Sequence, residues 1–273
     1  MHFAKLQACS NDYIFIDTFT QTITDAPALA RRLTDYKKGV GGDGMILLCP
    51  SDNADYKMRV FNPDGSEAEM CGNALRCSAK YFYDLHLTRS NRFCVETLGG
   101  IKHITLVVSD GKVTDVYADI GRPVLDMNLI PCSLSSNLAQ IKVLDKEFTV
   151  FAVGFGNPHC AVMCAEPEEI DLPLYGSALE CCEYFPHKAN VEFYKIIDKN
   201  NIYIRTWERN CGETLGCATG SCACVVAGRS HNLLSDIITV HQRGGRIYVN
   251  ITSDGDIIIN GSPTTVFTGE LKL

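Results

Sequence analysis

Apolar residues along the chain fall in short β-branched and aromatic runs closed by Gly, Asp or Asn. Tyr13 to Ile16, Met45 to Leu48, Ile104 to Val108, Phe148 to Val153, Ile202 to Thr206 and Ile257 to Ile259 each read as a strand. Together they predict mostly antiparallel, meandering sheet. Helices are signalled in other places. "DAPALARRL" and "DLPLYGSALE" each open with an Asp at an N-cap position, Asp25 and Asp171, followed two residues on by Pro27 and Pro173. Two further helices are predicted to begin directly after Cys71 in "EMCGNALRC" and after Cys217 in "LGCATGSCACVVAG".

These signals occur twice, in register. Cys217 lies 146 positions after Cys71, and the same offset relates Asn11 to Asn157, Asp25 to Asp171, Arg59 to Arg205, Phe61 to Trp207 and Glu67 to Glu213. Further on the register drifts by a residue or two. Gly99 and Gly100 match Gly244 and Gly245, and Ser109, Asp110 and Gly111 match Ser253, Asp254 and Gly255, as short loop deletions would produce. A ladder of turn residues, caps and apolar positions at one offset is the mark of an internal duplication. The fold expected is α+β of α/β type, with two pseudo-symmetric duplicated domains facing each other. Each is a mostly antiparallel β-sheet curled around the helix that follows its cysteine. Residues 1–117 with 263–273 are expected to form the half carrying Cys71, and residues 118–262 the half carrying Cys217.

Composition narrows the chemistry. At 273 residues and 46% hydrophobic content the chain supports a substantial core. Its 32 acidic residues outnumber 25 basic ones, giving a formal charge of −7 with no Lys/Arg block to displace counterions, so nucleic acid is not an expected partner. No stretch approaches the roughly 18 apolar residues of a membrane span, and the N-terminal segment lacks the pattern of an export signal, so a cytoplasmic location and no membrane partner are expected. The fourteen cysteines are then expected to be reduced thiols. None forms a Cys-x-x-Cys pair, so no metal site is expected.

Most of these thiols are expected to be small buried hydrophobes, and Cys77 is one of them. Cys71 and Cys217 differ because each stands at the mouth of a helix. There the first N–H groups and the helix dipole favour an anion, either a thiolate or a substrate carboxylate. Two such sulfurs approaching one ligand from opposite sides give a base on one face and an acid on the other. Inversion of a carbon stereocentre requires this arrangement, and it needs neither metal nor pyridoxal phosphate. A thiol hydrolase or transferase with His159 as the base would use only one of the two cysteines. A non-catalytic amino-acid-binding protein would need the donors and neither thiol.

The segments "FNPDGSEAEMCGNALRC", "GFGNPHCAVM", "ANVEF" and "RTWERNCGETLGCATGSCA", with "SNDYIFID" and "GVGGDGMILL" before them, resemble the signature segments of the diaminopimelate epimerase family in order and spacing. The resemblance implies two similar domains, with the last strand returning to the first and a cleft that closes on substrate. It implies a cofactor-independent enzyme of lysine and cell-wall synthesis that interconverts LL- and meso-diaminopimelate. Cys71 and Cys217 would be the acid/base pair, with His159 and Glu208 setting their proton affinities. The N–H groups of Gly72 and Asn73, and of Ala218 and Thr219, would hold the carboxylate at the reacting carbon. Asn11 and Asn157 would be duplicated substrate contacts, Asn62, Asn190 and Arg209 would hold the distal amino-acid head, Arg209 through its planar fork, and Glu208 would also contact substrate. Gly44 stands in the substrate-binding set where some members carry a side-chain donor, and Ala218 where glycine is usual. The expected partners are a small-molecule amino acid and, as an assembly, a second copy of the chain in a homodimer. Proline, lanthionine and histidine racemases or epimerases on the same fold are the neighbouring alternatives. Arg209, Asn62 and Asn190 argue against proline, which has no distal head.

Overall fold

A computed structural model of the chain describes residues 1–272. Leu273, the last residue of the predicted terminal strand, lies outside the described residues. The chain divides into two units: Met1–Asp119 with the terminal residues from Asn260 onward, and Ile120–Ile259.

The first unit runs β1 (His2–Ala8), β2 (Asn11–Asp17), α1 (Ala26–Leu33), β3 (Gly44–Cys49), β4 (Tyr56–Phe61), β5 (Glu67–Ala68), α2 (Gly72–Asp84), β6 (Arg92–Thr97), β7 (Gly100–Ser109) and β8 (Lys112–Gly121). Strands β1 and β2, β3 and β4, β6 and β7, and β7 and β8 pair antiparallel, whereas β2 and β3, and β4 and β6, pair parallel. The sheet is therefore mostly antiparallel without being a simple meander. A parallel pair needs a crossover, and α1 and α2 supply them.

The two helices cover opposite faces. Ile14, Ile16, Met45 and Leu47 pack with Ala26, Ala30 and Leu33 of α1. The alternate residue Phe15 meets Tyr81 of α2, ring centroids 6.0 Å apart. With both faces covered, β2 and β3 are apolar runs without alternation. Helix α2 is buried without a break from Gly72 to Ala79 and packs on β1, β2, β3, β4 and β7, so the sheet curls around it.

The second unit repeats this plan with β9 (Leu138–Val143), β10 (Lys146–Gly154), β11 (Pro158–Met163), a 3-10 turn (Pro167–Glu169), α3 (Leu172–Glu180), β12 (Asn190–Asp198), β13 (Asn201–Glu208), β14 (Gly212–Thr214), α4 (Ala218–Ser230), β15 (Ile237–Gln242), β16 (Gly245–Ile251) and β17 (Ile257–Gly261). The parallel pairs β11–β12 and β13–β15 stand where β2–β3 and β4–β6 stand in the first unit. Leu172, Tyr175 and Leu179 of α3 cover one face, against Val150, Val162, Val191 and Phe193. Helix α4 is buried from Ala218 to Gly228 and packs on β10 to β13 and β16. Its small side chains suit a helix enclosed on all sides. The last strand, β18 (Thr264–Glu270), pairs antiparallel with β1, as β9 pairs with β10.

Local signals act as the sequence predicts. Asp25 caps α1 by accepting from the Ala28 N–H at 2.9 Å, and Asp171 caps α3 by accepting from Leu174 at 3.1 Å. The paired Arg and Glu residues also recur as ion pairs across neighbouring strands, Arg59 with Glu67 and Arg205 with Glu213.

Candidate active site

Cys71 is the N-cap residue of α2, with extended backbone and no side-chain capping bond. Its sulfur instead meets the sheet. The Tyr13 hydroxyl donates to Cys71 Sγ at 3.2 Å, and the thiol lies 3.7 Å from Asn11 Oδ1. Asn11 is fixed from both ends. Its Nδ2 donates to Asp43 at 2.8 Å, and its Oδ1 accepts from Asn73 Nδ2 at 3.2 Å. Burial pushes the Asp43 carboxyl above its usual range. Beneath Asn73 lies a fully buried Arg76, which donates to Asn73 Oδ1 at 2.7 Å and to the Gly72 carbonyl at 3.2 Å. The first turn of α2 is thus held by its own arginine. Gly44 pairs with Tyr13 in the parallel β2–β3 register.

Cys217 is the N-cap of α4, and its sulfur turns inward. It accepts from the Gly220 N–H at 3.3 Å and lies 3.5 Å from Thr219 Oγ1, while the Cys217 N–H donates to Gln242 Oε1 at 2.8 Å. Burial, with Glu208 and Glu192 nearby, pushes the Cys217 thiol well above 9.0. His159 is fully buried, its Nδ1 bonded to Glu192 Oε1 at 2.8 Å and its Nε2 to Asn157 Oδ1 at 3.0 Å. Glu192 is equally buried, and its Oε2 has no hydrogen-bond partner among the described residues. Asn190 accepts from the Arg209 N–H at 2.9 Å, which sets the start of the Arg209 turn, and Glu208 accepts from Thr214 Oγ1 at 2.6 Å. By helix geometry the first N–H groups of α2 and α4 have no carbonyl four residues earlier to bond, so each helix mouth favours a carboxylate.

The first unit therefore gathers Asn11, Gly44, Cys71, Gly72 and Asn73, and the second gathers Asn157, His159, Asn190, Glu208, Arg209, Cys217, Ala218 and Thr219. Asn62 lies in the turn after β4, where its Nδ2 donates to Ser66 Oγ at 3.0 Å. Among the described residues no three His, Cys, Asp or Glu side chains gather as a metal site.

Sequence reading passed over Tyr13, Arg76, Glu192 and Gly220. The first had an available signal, because Tyr13 stands 146 positions before His159. Glu192 lies in "ANVEF", where a glutamate between Val191 and Phe193 reads as a solvent-facing strand position. The structure buries both faces of that strand.

A sequence profile described as Diaminopimelate epimerase matches residues 3–125 and 151–266, which span both cysteine motifs. The chain belongs to the diaminopimelate epimerase family. A diaminopimelate epimerase of Methanococcus maripaludis is 40% identical over 281 residues, covering 100% of both chains. One from Pelotomaculum thermopropionicum is 39% identical over 275 residues, covering 99% of this chain and 98% of its own. Among solved structures, a probable proline racemase of Agrobacterium radiobacter superposes with a TM-score of 0.76 at 12% identity, covering 100% of this chain and 93% of its own. That likeness shows that the family shares its fold with proteins of other names.

Proposed function

We propose that the protein is an epimerase interconverting LL- and meso-diaminopimelate without pyridoxal phosphate or metal, with Cys71 and Cys217 as its acid/base pair. The observation that carries this reading is the duplicated one: a cysteine at the N-cap of each central helix, in a chain matched over its full length by proteins named for this reaction. One cysteine, as thiolate, takes the α-proton. The electron pair left on carbon delocalises into the adjacent carboxylate, which the helix-mouth N–H groups of Gly72, Asn73, Ala218 and Thr219 stabilise. The other cysteine, as thiol, returns a proton to the opposite face, and the pair ends with the proton exchanged between sulfurs. Cys217, whose thiol is pushed up by burial, suits the proton-bearing role in the empty site.

His159 and Glu208 adjust these proton affinities. Asn11 and Asn157 orient the reacting end, while Asn62, Asn190 and Arg209 receive the distal head. The reduced thiols fit a cytoplasmic setting, and no helix among the described residues is long and apolar enough to cross a membrane. The proposed assembly is a homodimer of the 30.1 kDa chain, checked by sedimentation. The test of the reaction is deuterium uptake. In heavy water the purified, reduced protein should place solvent deuterium on the α-carbon of diaminopimelate, and Cys71→Ala and Cys217→Ala should each abolish epimerisation. Full turnover without label, or a single-cysteine variant that still epimerises, would overturn the assignment.

A further inference from the structure

The two half-sites share their backbone plan but differ in the group placed beside the cysteine. At position 159 the second unit has a buried histidine bonded to Glu192 and Asn157, and Cys217 Sγ takes its hydrogen bond from the Gly220 N–H. At the equivalent position the first unit has Tyr13, whose ring is buried and whose hydroxyl reaches the sulfur of Cys71 at 3.2 Å. Cys71 makes no side-chain capping bond, and the Tyr13 hydroxyl donates to its sulfur as the Gly220 N–H donates to that of Cys217. A thiol is a weak acceptor and a thiolate a strong one, so a hydroxyl aimed at sulfur favours the ionised form.

Gly44 independently shows that this placement is built. A Cβ added there would lie 2.9 Å from Tyr13 Cε1 and 2.7 Å from the Phe61 carbonyl oxygen. Any side chain at 44 would displace the ring from the path it takes to the sulfur. Tyr13 and Gly44 are register partners in neighbouring strands, so the missing side chain at 44 and the phenol at 13 form one device.

We propose that Tyr13 is the positioning residue that holds Cys71 as a thiolate, with Gly44 keeping its ring in place. The assignment of Cys71 as a base rests on the function proposed above. The titratable groups around this sulfur include Cys77, Arg76 and Lys80 on α2, Cys9 in the β1–β2 turn and, through Asn11, Asp43 with the Lys5-paired Asp12. All of them remain in Tyr13→Phe, which removes the hydroxyl alone.

The experiment uses the reduced, substrate-free full chain. The rate of Cys71 alkylation by iodoacetamide is followed against pH, peptide by peptide, by mass spectrometry. Tyr13→Phe should raise the Cys71 midpoint by about one pH unit and leave that of Cys217 in place. The acid limb of kcat/KM should move up with it in the direction that uses Cys71 as base. A Cys71 midpoint unchanged in folded Tyr13→Phe overturns the proposal. Gly44→Ala, which keeps the hydroxyl but pushes the ring aside, should raise the same midpoint; if Tyr13→Phe does not fold, an unchanged midpoint in Gly44→Ala overturns it equally. A raised midpoint in a protein whose wild type shows no epimerisation supports the Tyr13–Cys71 link while rejecting the proposed reaction, so the two failures are distinct.

Discussion

Gly220→Ala should destabilise the second unit, against the usual effect of that change. Gly220 is buried in the first turn of α4, where alanine would ordinarily gain about 0.5–1 kcal/mol over glycine. An added Cβ would lie 2.5 Å from Glu192 Oε1 and 2.9 Å from its Cγ, against about 3.4 Å for an ordinary contact. The carboxylate would have to retreat by about 0.9 Å, yet Glu192 is fully buried and held to His159 at 2.8 Å. It cannot escape to water. Overpacking costs about 1–3 kcal/mol, and weakening a charged buried hydrogen bond about 1.5–3 more. The net loss expected is about 2–4 kcal/mol, read as a lower urea midpoint at unchanged slope. Glu192→Ala removes the obstruction, so in that background Gly220→Ala should cost nothing, a coupling of at least about 2 kcal/mol in a double-mutant cycle. A Gly220→Ala protein as stable as wild type, or a cycle without coupling, would refute the steric argument.

Burial sets two further outcomes. The buried thiols of Cys77, Cys160, Cys217 and Cys224 all ionise above their ordinary 9.0. A pKa raised on folding contributes stability that is fully present below about pH 9 and lost as pH climbs toward the folded value, by up to about 1.4 kcal/mol per pH unit for each thiol. Urea midpoints under reductant should therefore fall between about pH 8 and 10.5, and a flat profile would contradict the burial of these groups. The duplicated arginines should respond unequally. Arg205, 6% exposed, also donates to the Pro167 and Ile170 carbonyls, so Arg205→Ala should cost about 2–4 kcal/mol. Arg59, 37% exposed, should cost under about 1. Equal losses in denaturant melts would show that burial does not decide between them.

The duplication, the Asp25 and Asp171 caps and the helix starts after the two cysteines were legible because each is a local signal repeated at one offset. Strand order was not. Periodicity shows which faces are apolar but not which strand lies alongside, so the parallel pairs β2–β3 and β4–β6 were not predicted. The buried polar residues were hidden for a related reason. Arg76 in mid-helix and Glu192 in mid-strand sit where a one-sided element would put its solvent face, but both elements are enclosed on two sides. Tyr13 reads equally well as one more strand aromatic, and only its partner across the repeat, His159, marks it as different.

That difference bears on how a two-cysteine site starts its cycle. In the proposed mechanism the pair is competent only with one proton between the two sulfurs, and identical, unperturbed surroundings would leave both cysteines mostly thiol near neutral pH. Duplication alone thus yields a symmetric and largely idle pair. Divergence at a few equivalent positions changes this without disturbing the backbone: phenol against imidazole at 13 and 159, glycine against Asn190 at 44, and Asn62 against Glu208. In the second unit, burial, with Glu208 and Glu192 nearby, favours the protonated form of Cys217. In the first, half-exposed Cys71 accepts from the Tyr13 hydroxyl and lies against Asn11 Oδ1. In the proposed mechanism the resting pair is thereby biased toward one proton in one place, and each turnover leaves the proton on the other sulfur, so the reverse reaction starts from the less favoured arrangement.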